Sequence, residues 1–127
     1  MGDIDVDINN ITEKIIACAI EVHKNLGPGL LESVYERALC YEFQANDIRY
    51  DCQIAIPIIY KGLNLGDYRL DLLVEDEVIV ELKAVDRIEP VFDAQLLTYL
   101  KVTGKKVGLI INFNTPALKD GIKRMIL

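Results

Sequence analysis

Apolar residues recur at helical spacing through the first third of the chain. Ile16, Ala19, Ile20 and His23 share one helical face, Asn10 and Glu13 have the spacing of an N-terminal capping pair, and Gly27 suits a left-handed cap. This pattern predicts a helix from about Asn10 to Asn25-Leu26-Gly27, then a break at Pro28 and Gly29. Leu31, Val34, Tyr35, Ala38, Leu39 and Phe43 predict a second amphipathic helix that fades near Asn46. From Ile48 the period changes to two, and Ile48, Tyr50, Cys52, Ile54, Ile56, Ile58 and Tyr60 alternate as in a long strand. Pro57 cannot donate to a ladder, so that strand belongs at an edge or is bent. Lys61 to Gly66 reads as a turn, and Asp67–Val74 and Val78–Ala84 as two strands around Glu75-Asp76-Glu77. After Glu89-Pro90 a helix runs to about Val102 with Gly104 behind it, and Val107–Phe113 is an apolar run of buried-strand type. The last twelve residues or so fit a short helix or a final strand.

Composition narrows the class. The 127 residues suit one domain, 1–127, and 51% hydrophobic with 27% charged residues supports a packed core. No apolar run reaches the ~18 residues of a membrane span, and the acidic start does not resemble a secretory signal, so no membrane partner is expected. Cys18, Cys40 and Cys52 are an odd set without Cys-x-x-Cys spacing. They fit small buried hydrophobes in a reducing cytoplasm better than a disulfide framework or a zinc ribbon. Ser33 is the sole serine and lacks a Gly-x-Ser-x-Gly elbow; Gly27-Pro28-Gly29 follows a helix, not a strand; and no phosphate loop is present. A net charge of −6, taken alone, argues against bulk nucleic-acid binding, yet it is unevenly spread. Residues 1–83 hold 7 Lys/Arg against 16 Asp/Glu, and residues 84–127 hold 7 against 4, so the C-terminal part is positive.

The candidate chemistry lies in the hairpin over residues 67–84. With Glu75-Asp76-Glu77 as a three-residue loop, Val74 faces Val78, Leu73 faces Ile79, Leu72 faces Val80, and Asp71 faces Glu81. Facing residues have Cβ atoms about 4.5–5.5 Å apart, where two carboxylates raise each other's pKa. A hard divalent cation such as Mg²⁺ or Mn²⁺ relieves that repulsion. Lys83, two residues past Glu81, points to the same side. On the same alternation Arg69, Asp71, Leu73 and Glu75 share one strand face, which also reads as a solvated sheet surface of mixed charge.

Gly29-Leu30-Leu31-Glu32-Ser33-Val34-Tyr35 resembles the signature of the GxxExxY family of small bacterial and archaeal proteins. Asp71 followed by Glu81-Leu82-Lys83 resembles the core motif of the PD-(D/E)XK nuclease superfamily, in which that family is placed. Gln95-Leu96-Leu97-Thr98-Tyr99 is similar to the Gln-x-x-x-Tyr helix motif of its recombination-exonuclease branch. The ordered likeness runs from about Asn10 to Arg124; Leu70 stands where the proline of the superfamily name would be. The resemblance implies an α/β restriction-endonuclease-like fold with a mixed central sheet flanked by helices. It also implies a Mg²⁺- or Mn²⁺-dependent nuclease. Asp71, Glu81 and Glu32 would be metal-binding carboxylates, with His23 a further ligand; Lys83 would polarise water or offset phosphate charge; Gln95 and Tyr99 would line the site.

Each of these residues also has a purely structural reading. His23 and Tyr99 sit on apolar stripes, as does Tyr35, and Glu32 is an acid in a helical first turn. Nucleic acid is the implied partner, DNA ahead of RNA, with Lys101, Lys105, Lys106, Lys119, Lys123 and Arg124 as its phosphate-contacting surface. A homodimer would reach both strands. The alternative function is a catalytically inactive nuclease-fold module that binds nucleic acid or a protein partner. A stress or toxin–antitoxin accessory role is a third.

Overall fold

A computed structural model describes residues 2–127, with side chains from Asp7 onward. The chain begins with two helices, α1 (Gly2–Leu26) and α2 (Glu32–Ala45). Helix α1 starts before the expected Asn10, because the apolar stripe that docks it reaches back to Ile8. Asn10 and Glu13 therefore lie inside the helix and do not cap it. The buried face also differs from the expected one: Ile8, Ile15, Cys18, Ala19 and Val22 are inside, while Ile20 is 44% exposed. Adjacent Ile15 and Ile16 offered two helical stripes, and the one continuous with Ile8 packs on the sheet. Tyr35 fixes the break between the helices. Its hydroxyl donates to the Gly27 carbonyl and accepts from the Leu30 N–H, and its ring stacks on Phe113 at 4.4 Å.

Five strands follow: β1 (Tyr50–Tyr60), β2 (Leu63–Val74), β3 (Val78–Lys83), β4 (Val107–Asn112) and β5 (Ile122–Ile126). They form one sheet in chain order. All pairings are antiparallel except β3 with β4, which the third helix α3 (Pro90–Thr103) connects. The sheet is therefore mixed, and it carries α1 and α2 on one face and α3 on the other. As Pro57 predicts, β1 is an edge strand, with a register shift between Pro57 and Ile59. The turn after it is shorter than expected. Lys61 and Gly62 alone make it, with φ of 50° and 83°, and Leu63 to Gly66 join β2. Two consecutive positive φ values are what a tight two-residue hairpin requires. The C-terminal residues give both expected elements, a 3-10 turn over Leu118–Gly121 and then β5.

Both faces of β3 and β4 are covered, so Val78–Glu81 and all of β4 are buried. Val80, Leu82, Leu109 and Ile111 face α1 and α2, while Ile79 and Ile110 face Leu96 and Leu100 of α3. Helix α3 comes so close that a Cβ at Gly108 would lie 2.7 Å from the Leu96 side chain. No helix among the described residues is long and apolar enough to cross a membrane.

Candidate active site

The β2–β3 hairpin has the expected register, Val74↔Val78, Leu73↔Ile79 and Leu72↔Val80. One step further, at Asp71 and Glu81, backbone pairing gives way to a crossed exchange. The Glu81 Oε2 accepts the Asp71 N–H at 2.9 Å, and the Asp71 Oδ2 accepts the Leu82 N–H at 2.8 Å. Each carboxylate thus stands in for a missing ladder bond and is fixed by the opposite strand. The simple alternation expected along β2 breaks here too: Leu72 packs in the α1/α2 layer, whereas Leu70 and Leu73 pack in the α3 layer.

An irregularity on β1 lies beside this point. Gln53 sits across from Asp71, between the pairs Cys52↔Leu72 and Ile54↔Leu70, and has a φ of 52°. A left-handed residue inside a strand locally interrupts the ladder and re-aims its side chain. The Gln53 Nε2 donates to the Glu36 Oε1 at 2.7 Å, and its carbonyl accepts from Arg69 at 2.9 Å. Sequence periodicity carries no sign of this residue, because a positive φ at a non-glycine position is set by tertiary context.

Glu81 is 8% exposed. Burial, then the neighbouring Asp71 charge, pushes its carboxyl from 4.5 up to about 8, against the pull of the Asp71 N–H and Lys83. Burial also raises Asp71, opposed by the Leu82 N–H, Lys83 and Gln53. Glu32, in the first turn of α2, lies in the same field: burial and then Asp71 raise it, and Lys83 opposes them. The Lys83 Nζ rests 4.3 Å from the centre of the Phe92 ring and forms no ion pair among the described residues. From α3, Tyr99 is 7% exposed, and its hydroxyl is pushed up by burial and then by Glu81. The Tyr68 ring meets Tyr99 edge-on at 6.2 Å, a neighbour that sequence periodicity does not reveal. Gln95 lies exposed one turn before Tyr99 and has no hydrogen bond among the described residues. Just beyond Lys83 the chain is clamped: buried Asn112 accepts the Val85 N–H and donates to the Val85 carbonyl.

The structure therefore gathers Asp71, Glu81 and Lys83, with Glu32 and Tyr99 close enough to act on their charges. His23 stands differently. Its Nε2 is 2.8 Å from the Thr115 carbonyl, and it forms no hydrogen bond or ion pair with a carboxylate among the described residues. The basic C-terminal surface is partly committed to the protein itself. Lys123 pairs with Asp93, Lys105 with Asp76, and Arg124 donates to Asn9.

Among the described residues, no three His, Cys, Asp or Glu form a ready metal cage. A buried and a half-buried carboxylate, adjacent and both of raised pKa, still fit one kind of ion well. Mg²⁺ keeps several waters and is held through one or two carboxylates plus a substrate phosphate. Compared with profiles of known protein families, residues 9–125 match the PD-(D/E)XK nuclease superfamily. No curated protein and no solved structure matches the chain.

Proposed function

Because the chain belongs to the PD-(D/E)XK nuclease superfamily, we propose that it hydrolyses phosphodiester bonds in nucleic acid, DNA ahead of RNA, with Mg²⁺ or Mn²⁺. Nucleases of this superfamily generally use divalent metals. The observation that carries the reading is the crossed Asp71–Glu81 exchange: a buried and a half-buried carboxylate held together where β2 and β3 part, with Lys83 beside them. A fold that placed them for solubility alone would leave them in water.

When bound, the divalent ion supplies the Lewis acidity that lets water attack at neutral pH. Asp71 and Glu81 hold that ion, each already oriented by a backbone N–H from the opposite strand. Glu32, whose carboxyl lies in the field of Asp71 and Lys83, would be the third metal-binding acid. Lys83 brings its ammonium to the phosphate as negative charge builds on the oxygens. The Phe92 ring beneath it supports a cation that is not tied up in an ion pair. Tyr99 and Gln95 line the wall formed by α3. The ligand set leaves out His23, whose Nε2 faces the Thr115 carbonyl. Within the superfamily, the segment Gly29 to Tyr35 supports the GxxExxY group, and Tyr35 in it pins the entry to α2 while Glu32 faces the site.

Purified protein is expected to nick or degrade DNA with Mg²⁺ or Mn²⁺. Cleavage that survives unchanged in both Glu81→Gln and Lys83→Ala overturns the assignment. A second reading, a module of this fold that binds without cutting, draws on the lack of a three-residue cage among the described residues. Mn²⁺ titration separates the two, since such a module has no need to bind the ion.

A further inference from the structure

Strand β2 pairs with β3 only over Leu72–Val74. From Leu63 to Leu70 its strand partner among the described residues is β1 alone; this two-stranded arm rests on the α3 layer through Ile56 and Leu70 and extends past β3 to its tip at Lys61 and Gly62. Ile59, Tyr60, Leu63, Leu65 and Tyr68 on this arm are each more than half exposed. Two strands carrying that much apolar surface have little to gain from water, and exposed apolar patches of this kind mark binding sites.

Four observations say what the arm meets. First, the arm brings an aromatic ring to the edge of the site: Tyr68 is held edge-on by Tyr99, whose hydroxyl feels the charges of Glu81 and Asp71. Second, the arm carries Lys61 and Arg69 against one acid, Asp67, in the otherwise acidic part of the chain, with Arg69 donating to the Gln53 carbonyl and Lys61 at the tip. The Lys61 Nζ lies 5.4 Å from the Tyr60 ring centre at the arm's tip. Third, Pro57 and the register shift after it interrupt the row of backbone groups that a second copy's strand would need. Fourth, three of the six C-terminal cations are committed internally, which leaves little of the basic surface that duplex phosphates require. Aromatic faces, in contrast, bind unpaired bases whatever their sequence.

Building on the proposed nuclease reading, we infer that the substrate is an unpaired nucleic-acid strand whose bases stack on Tyr68 beside the carboxylates and on Tyr60 at the arm's tip. Tyr68 lies opposite Ile56, four residues before Tyr60 on β1, so the two stations are about 13 Å apart at ~3.3 Å per residue.

The test is fluorescence anisotropy with labelled 12-nucleotide oligo-dT, the matching oligo-U and a 12-base-pair duplex, in Ca²⁺. At least one single strand should bind tenfold or more tighter than the duplex, and the tighter of the two names the sugar. Tyr68→Ala should weaken that binding about tenfold, and Tyr68→Phe should preserve it. Equal or tighter duplex binding overturns the inference, as does a Tyr68→Ala variant with unchanged affinity or a Tyr68→Phe variant that loses as much as Tyr68→Ala. Tyr68 is exposed, so both variants should fold. Hydrolysis is read separately in Mg²⁺ and Mn²⁺. Tight single-strand binding without cleavage defeats the nuclease reading alone, and cleavage with duplex preference defeats this inference alone.

Discussion

The two ends of the β2–β3 hairpin hold the same kind of residue under opposite conditions. At the turn, Glu75 receives the Arg49 backbone N–H at 3.0 Å and its guanidinium at 3.1 Å, and these bonds hold its carboxyl below the usual range. At the open end, Glu81 receives one backbone N–H, is sealed from water, and is pushed up to about 8. Only a few ladder pairs separate them. The turn end is complete as it stands, because its charge has a cation. The open end has two carboxylates and an ammonium resting on an aromatic ring, and so has room for a further positive charge. A carboxylate left without a counter-charge in a buried position costs stability that the turn end does not lose.

The strongest way to break this contrast is to remove the charges at the open end. Asp71→Asn and Glu81→Gln keep an acceptor for the opposite strand's N–H, so both should fold. Cleavage rates in either should fall at least ~100-fold, as should those of Lys83→Ala, measured as initial rates of nicking.

Next in size is the pH dependence of the metal-free protein. Glu81 has a folded pKa raised from 4.5 to about 8, so its contribution to stability is fully present below about 4.5 and is lost as pH rises toward about 8. Asp71 and Glu32 are raised as well and act in the same direction. Glu75 acts oppositely: its lowered pKa gives stability above the ordinary glutamate value that is lost on acidification. Thermal melts in EDTA should therefore show a midpoint that falls from pH 5 to pH 8. Glu81→Gln should flatten most of that slope, and Mn²⁺ should reverse it, since ion binding requires the deprotonated carboxylates. A flat profile in the wild type would overturn the burial argument.

A smaller effect is expected at Gln53. Glycine takes a φ of 52° without strain, so Gln53→Gly removes the amide beside Asp71 and keeps the backbone. Mn²⁺ affinity by calorimetry should fall about 10-fold with little change in the thermal midpoint. Smallest of all, Glu75→Ala should cost about 1 kcal/mol or less, as exposed pairs do, with no change in cleavage.

The open end was legible in the sequence to an unusual degree for so short a chain. Taking Glu75-Asp76-Glu77 as a three-residue loop was enough to say which residues of β2 and β3 face each other, and that register brings Asp71 beside Glu81. What remained hidden depended on contacts from far along the chain. The left-handed Gln53, the edge-on Tyr68 and the Asn112 clamp are set by neighbouring strands and by α3, and local periodicity has no access to them. The start of α1 misled for a related reason: the Asn10–Glu13 spacing is a local signal, whereas the helix runs straight through it and packs Ile8, before that pair, into the core.

The one parallel pairing has a consequence for the order in which the molecule assembles. Val78 pairs with Val107, so β3 finds its second neighbour only after α3 and β4 have been made. The hairpins β1–β2 and β2–β3 close over short loops and are expected to form before the crossover, for which a longer loop must close. During synthesis the acidic pair is thus exposed to solvent until the C-terminal part of the chain arrives to cover it. A chain cut short after Lys83 would carry Asp71 and Glu81 without the wall that desolvates them, so the burial that raises Glu81 arises only when the last elements dock.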